Sequence, residues 1–146
     1  MKDNLKPQFT WDEESGVATC ILTDGKEVYI GVAKCCDIDR DMMNEKTGCE
    51  IALKRATINY YKSVRNHELI PSLNTLKGIE FTLKTGNYDS KSLSVIQKKI
   101  NKIQQDLDII KYLLIEQKES LTEYISAKDD FYKQVRKNRE KKDKIK

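Results

Sequence analysis

A chain of 146 residues has the length of one ordinary domain, and 38% hydrophobic residues are enough to build a buried core. Charged residues make up 34%, and no apolar run approaches the roughly 20 residues that a membrane span requires. No apolar segment follows the first four residues, so a secretory signal peptide is not expected. Composition therefore predicts a single helix-rich domain over 1–146, located in the cytosol, and excludes membrane proteins.

The positive charge is concentrated at the end of the chain. The net charge is +4, but residues 133–146 contain eight Lys or Arg against Glu140 and Asp143, which makes this segment +6 and the remainder −2. Such asymmetry indicates a local anion site or a solvated tail, and it disfavours a protein that binds duplex nucleic acid.

Residues 1–40 have the pattern of a β-meander. Runs rich in β-branched and aromatic residues at 9–11, 17–23 and 27–33 predict three strands. Asp24-Gly25 predicts a tight hairpin turn between the last two strands, and the polar segment 13–16 predicts the first turn. One such sheet cannot bury itself, so the helices that follow are expected to cover one of its faces.

Cysteines and loop acids do not indicate a metal. The loop 37–47 is acidic, but it lacks the residue order of a calcium-binding EF-hand. A zinc site that includes His67 is disfavoured because cysteine pairs at ligand spacing are missing. The cysteines are expected to be reduced, small apolar residues; they are Cys20, Cys35, Cys36 and Cys49.

Two helical regions follow. Residues 48–86 predict a kinked helix or two helices, interrupted at Pro71. Residues 91–143 predict one long helix with an apolar seam from Ile96 to Val135, on which Phe131 also falls. The expected fold class is α+β, with a small N-terminal antiparallel three-stranded meander packed on a long antiparallel helical hairpin. Extra apolar residues beside the seam predict self-association; they are Ile109, Leu113, Ile115 and Ile125.

The residues offer little for catalysis. The chain has one histidine, no glycine-rich phosphate loop and no GxSxG motif, and His67 lies in a polar stretch that is typical of a surface. No general acid and base can be nominated among the carboxylates. We therefore expect a protein that is not an enzyme and that uses no metal and no cofactor.

The end of the long helix has the composition of an anion-binding surface. Arg136 and Arg139 are one turn apart and match two phosphates, Phe131 or Tyr132 has a ring that can stack on a base, and Asn138 can read a base edge. The alternative is a solvated tail, because helix C-termini favour Lys and Arg through the helix dipole.

Three motifs in this order resemble a known family. They are YIGVAKC at 29–35, EKTGCEIALKRA at 45–56 and KDDFYKQVRKNR at 128–139. With this layout the chain resembles the phage Thoeris anti-defence proteins of the first type. The resemblance implies a sponge in the cytoplasm of the infected bacterial host, which sequesters cyclic ADP-ribose isomers without cleaving them and so blocks activation of the Thoeris effector.

The resemblance also implies an assembly and a binding site. Members of the family are homo-oligomers, either dimers or dimer-based hexamers, and some also bind cyclic di- or trinucleotides. Arginines and an aromatic ring grip the ligand, and a base-reading asparagine corresponds to either Asn138 or Asn87. The ligand-binding residues that the resemblance implies here are Arg136, Arg139, Phe131, Tyr132 and Arg55.

Two other functions fit the residues. A coiled-coil module that inhibits or scaffolds a host protein would use the long helix, and its basic tail would only be solvated. A single-stranded nucleic-acid binder would use the aromatic and basic residues of the tail.

Overall fold

The N-terminal part of the chain forms a three-stranded antiparallel sheet. The computed structural model describes residues 5–34, 45–86 and 89–145, and its strands are β1 (Lys6–Asp12), β2 (Val17–Thr23) and β3 (Val28–Lys34). They lie in the order β1-β2-β3, and sequential strands are neighbours. The predicted meander is therefore confirmed.

The turn between β1 and β2 is fixed by Asp12 and Gly16. The Gly16 amide donates to the Asp12 carbonyl at 2.8 Å, and Gly16 has the positive φ of 66° that glycine adopts without strain. Ser15 Oγ donates to one carboxylate oxygen of Asp12 at 2.8 Å and the Glu14 amide donates to the other at 3.0 Å. These bonds, the one from Ser15 first, lower the pKa of the Asp12 carboxyl.

The turn between β2 and β3 is longer than the tight Asp24-Gly25 hairpin that the sequence predicts. Thr23 pairs with Val28, so residues 24–27 form the connection. Asp24 Oδ1 accepts bonds from the amides of residues 26 and 27, both at 2.9 Å, and Gly25 takes a φ of 94°. The aspartate side chain thus replaces the backbone bonds of a two-residue turn.

Three α-helices and one π-helical segment follow, and the predicted α+β class is confirmed. Helix α1 covers Glu45–Ser63, a π-helical segment covers Val64–Leu69, α2 covers Ile70–Thr85, and α3 covers Ser90–Ile145. The change in helix type therefore comes before Pro71, which lies in the first turn of α2. The Ile70 amide donates to the Arg65 carbonyl, which is the wider spacing of a π-helix.

The chain divides into two compact units. The first, called here the sheet unit, comprises Lys2–Asn59 and Glu116–Lys146, and the second, the helical unit, is built from Tyr60–Ile115. The core of the sheet unit uses small residues; its most buried members are Ala18, Cys20, Ala33, Ala52 and Ala56. The most buried apolar residues of the helical unit are larger; they are Tyr60, Val64, Ile100, Ile110 and Leu114.

Small residues let α1 lie directly on β3. A Cβ atom on Gly31 would collide with the carbonyl oxygen of Ala52 and the amide nitrogen of Ala56, so the helix and strand backbones are in contact at this point. Gly31 is required here for space and not for a positive φ, since its φ is not in the left-handed region. This contact fixes α1 and the side chains on it relative to the sheet.

Candidate functional site

Near the end of α3 the burial of the two aromatic rings differs from the sequence-based prediction. Tyr132 is 8% exposed and Phe131 is 59% exposed, whereas the seam was expected to bury Phe131. At about 3.6 residues per turn, a step of four from the half-buried Lys128 reaches Tyr132, and a step of three then reaches Val135. The expectation that Phe131 lies on the seam is therefore wrong, and its ring is available to a ligand.

The two rings remain in contact with each other. Their centroids are 5.8 Å apart and their planes are 61° to each other, which is an edge-to-face arrangement. The Phe131 ring is thus supported on one side by the buried Tyr132. A supported, exposed ring is a suitable stacking surface for a nucleobase.

Arg136 and Arg139 lie on the side of α3 that Tyr132 occupies. Arg136 is half-buried one turn after Tyr132, and Arg139 is exposed one turn further along. Both residues already interact with other groups of the chain. At about 3.6 residues per turn, Phe131 lies roughly 140° around the helix from Arg136 and roughly 80° from Arg139. Of the two arginines, Arg139 is therefore nearer to the exposed ring.

Of the two asparagines that can serve as the base-reading residue, the structure describes only Asn138. Asn138 is exposed, and Gln134 Nε2 donates to its Oδ1 at 3.4 Å. It lies only roughly 20° around the helix from Phe131, since the two are seven residues apart. Asn87 lies outside the described residues, as do Cys35, Cys36 and residues 37–44 of the acidic loop.

Arg55, to which the resemblance gives a ligand-binding role, binds the backbone of β3. It is half-buried, and its Nη1 donates to the Val32 carbonyl at 2.7 Å, while Asn59 Nδ2 donates to the Ile30 carbonyl, also at 2.7 Å. A guanidinium has five N–H donors, so one bond to β3 leaves others for an anion. The structure gives Arg55 a role in holding α1 to the sheet.

Two lysines that sequence analysis missed flank one aromatic ring of the sheet unit. Lys54 Nζ lies 5.8 Å from the centroid of the Tyr124 ring and Lys128 Nζ lies 5.4 Å from it. Lys54 Nζ also donates to Ser120 Oγ at 3.0 Å. Two cations on one ring create a positive potential that suits an anion. The available signal was the sequence spacing of Lys128, which follows Tyr124 by four residues on the long helix.

The described thiols, the histidine and the acidic residues were compared with the requirements of a metal site. Burial raises the pKa of the Cys20 and Cys49 thiols, which disfavours the thiolate that a nucleophile or metal ligand needs. His67 is exposed in the π-helical segment. In residues 5–34, 45–86 and 89–145, no three His, Cys, Asp or Glu side chains are grouped so that they could hold a metal ion.

Among the described residues no helix is both long and apolar enough to cross a membrane. Comparison of the chain with known protein families, curated proteins and solved structures found no match.

Proposed function

We propose that this protein binds a small cyclic nucleotide of the cyclic ADP-ribose class and holds it without cleaving it. The observation that carries the proposal is the exposed Phe131 ring, which is supported by Tyr132 and lies directly before the basic segment 133–146. A ring and nearby guanidinium groups supply the two contacts that a nucleotide needs, stacking for the base and charge-assisted bonds for the phosphates.

The biological role in this proposal comes from the family that the three sequence motifs resemble. The protein is a phage anti-defence sponge in the cytoplasm of the infected bacterium, and by sequestering the signal it prevents activation of the Thoeris effector. The ligand is a cyclic ADP-ribose isomer, and cyclic di- or trinucleotides are further candidates. The protein acts as a homo-oligomer, a dimer or a dimer-based hexamer.

Retention without turnover is consistent with the chemistry of the described residues. The thiols of Cys20 and Cys49 have raised pKa values, and the single histidine is exposed and lies in the helical unit. Cations and rings stabilise a bound phosphate and base, but they do not by themselves supply a nucleophile.

A second function is favoured by one specific observation. On α3 of the helical unit Ile109, Tyr112 and Ile115 are all exposed, although each is large and apolar. Such residues are typical of a protein contact. A coiled-coil module that inhibits or scaffolds a host protein is therefore the alternative, and it requires neither Phe131 nor the arginines.

Alanine variants of the arginines separate the two functions. Charge-assisted bonds to phosphate are worth about 1.5 to 3 kcal/mol, so Arg139→Ala is expected to weaken binding of the cyclic ADP-ribose isomer roughly ten- to hundredfold. Arg136→Ala is expected to have a similar effect on affinity, but Arg139 is exposed and its variant perturbs the fold less. Isothermal titration calorimetry measures both.

The matched control is Lys98→Ala, which removes one positive charge from an exposed position of the same helix, roughly eleven turns before Arg139. It is expected to change the affinity less than threefold, because a distant surface charge contributes little at physiological salt. Phe131→Ala is also a clean test, since this exposed ring contributes little to the core. Wild-type affinity in both arginine variants would show that the basic end is only a solvated tail.

A further inference from the structure

The two edges of the sheet differ in how they are covered. On the outer side of β3, two side chains of α1 donate hydrogen bonds to backbone carbonyls. Asn59 donates to the Ile30 carbonyl and Arg55 donates to the Val32 carbonyl. These bonds satisfy acceptors that an added strand would need. In the part of the chain that the structure describes, no strand pairs with the outer side of β1.

The register shows which backbone groups of β2 turn towards β1. Along an antiparallel strand, N–H and C=O groups alternate between the two sides. The Ile30 and Val32 carbonyls point away from β2, because α1 binds them. Their partners Ile21 and Thr19 therefore turn their own backbone groups away from β3, towards β1.

The same alternation identifies the open positions of β1. Ile21 and Thr19 pair with Gln8 and Thr10, so these two residues of β1 bond to β2. The intervening residues of β1 turn their backbone groups outwards, and they are Pro7, Phe9 and Trp11. Pro7 has no N–H, but its position faces outwards, so no hydrogen bond between β1 and β2 is lost. This is consistent with β1 as an edge strand.

An apolar side chain at this edge is also uncovered. Phe9 pairs with Cys20, so it lies on the face of the sheet that carries the core, yet it is 43% exposed while Cys20 is fully buried. The core face is thus covered at β2 and incompletely covered at β1. As far as the described residues show, the edge strand therefore offers both backbone groups without a strand partner and apolar surface.

We propose that two copies of this chain pair through β1, antiparallel and two-fold, with Phe9 opposite Phe9 of the second copy. This register places Lys6 opposite Asp12 of the second copy at both ends of the pairing. Opposite charges stabilise directly opposed positions of antiparallel strands. Asp12 is already held in place by Ser15 and Glu14, so its carboxylate is positioned for the pair.

The two-fold centre at Phe9 also uses the outward backbone groups. The Phe9 amides of the two copies donate to each other's Phe9 carbonyls, and each Trp11 amide donates to the Pro7 carbonyl of the other copy. All seven residues of β1 then have a partner in the second copy. A centre at Thr10 would pair fewer residues of the strand and would remove the Lys6–Asp12 match. The proposal is independent of the ligand.

Hydrogen exchange of the wild-type protein tests this pairing with a control inside the same strand. Sedimentation equilibrium first gives the dissociation constant of the dimer. At protein concentrations above this constant, the Phe9 and Trp11 amides are expected to exchange at least about tenfold more slowly than at concentrations below it. The amides of Gln8 and Thr10 bond to β2 in either state, so they are expected to stay protected throughout. Residue-resolved NMR measures the exchange rate of each of these four amides.

Two outcomes would overturn the proposal. If the protein dimerises while the Phe9 and Trp11 amides still exchange as unpaired amides, the copies meet elsewhere, for example through α3. If those amides are equally protected in the monomer, another part of the same chain covers β1. A protein that stays a monomer of 17.0 kDa at all concentrations would also contradict it.

A charge reversal gives an independent readout of the register. Lys6→Glu sets two glutamates opposite two Asp12 carboxylates, and we expect it to weaken dimerisation roughly tenfold because the exchange occurs twice in a symmetric contact. Lys26→Glu makes the same change of charge on an exposed loop of the sheet unit and is expected to leave dimerisation unchanged. Equal effects of both variants would overturn the proposed register.

Discussion

Gly31→Ala is expected to destabilise the folded protein by about 3 kcal/mol or more, because the added methyl group has no space. The atoms that it meets are the Ala52 carbonyl oxygen and the Ala56 amide nitrogen. Both belong to the backbone of α1, so the clash cannot be relieved by rotating a side chain. The helix must move away from β3, and the bonds from Arg55 and Asn59 to the strand must lengthen or break.

Gly78→Ala is the matched control for this experiment. Gly78 lies within α2, and a Cβ atom there would meet nothing within 4 Å. Alanine is the better helix former, so this variant is expected to gain about 0.5 to 1 kcal/mol. Urea unfolding followed by circular dichroism measures both variants. A Gly31→Ala protein as stable as the wild type would contradict the close approach of α1 to β3.

Ile110→Asp is expected to cost about 4 kcal/mol or more, because it places an unpaired charge in the core of the helical unit. Ile110 is 1% exposed, so the carboxylate would have no access to water. The neighbouring Ile109 is 49% exposed, and Ile109→Asp is expected to cost less than about 1 kcal/mol.

Thermal unfolding at low protein concentration is the best comparison of Ile110→Asp with Ile109→Asp. Under these conditions an effect of Ile109 on self-association does not contribute to the measured stability. Because the two variants introduce the same residue at adjacent positions of one helix, helix propensity is nearly the same in both. Equal losses of stability would contradict the burial of Ile110.

The sheet could be predicted from the sequence because its signals are local. Runs of β-branched and aromatic residues, together with turn residues at 13–16, are sufficient to predict the strands. The approach of α1 to Gly31 could not be predicted, since it depends on residues that lie far apart in the chain. Likewise, the prediction of a tight turn at Asp24-Gly25 was wrong, because the Asp24 side chain binds the amides of a longer loop.

The helices were predicted in number but not in detail. Pro71 was interpreted as the interruption, whereas the π-helical segment Val64–Leu69 precedes it. A proline is easily recognised in a sequence, but a change from i−4 to i−5 hydrogen bonding carries no residue signature. Phe131 was assigned to the seam because a step of three and a step of four are equally good locally, and only packing selects Tyr132.

The candidate site was predicted only in part. Arg136, Arg139, Phe131 and Tyr132 were identified because they are close in sequence, and the structure separates them by exposure and by face. Lys54 was missed because its contact with Tyr124 joins residues from two helices. For the same reason the bond from Arg55 to the Val32 carbonyl was not foreseen.

We expect the protein to bind a cyclic nucleotide and to leave it intact. Thermal unfolding in the presence of cyclic ADP-ribose isomers and cyclic dinucleotides shows whether it does. A ligand at about 100 times its dissociation constant stabilises the folded state by about 2.7 kcal/mol, which is easily measured as a rise in the unfolding midpoint. Mass spectrometry of the ligand released by heating is expected to return its original mass. No shift with any of these nucleotides, or release of a product heavier by one water, would contradict the account.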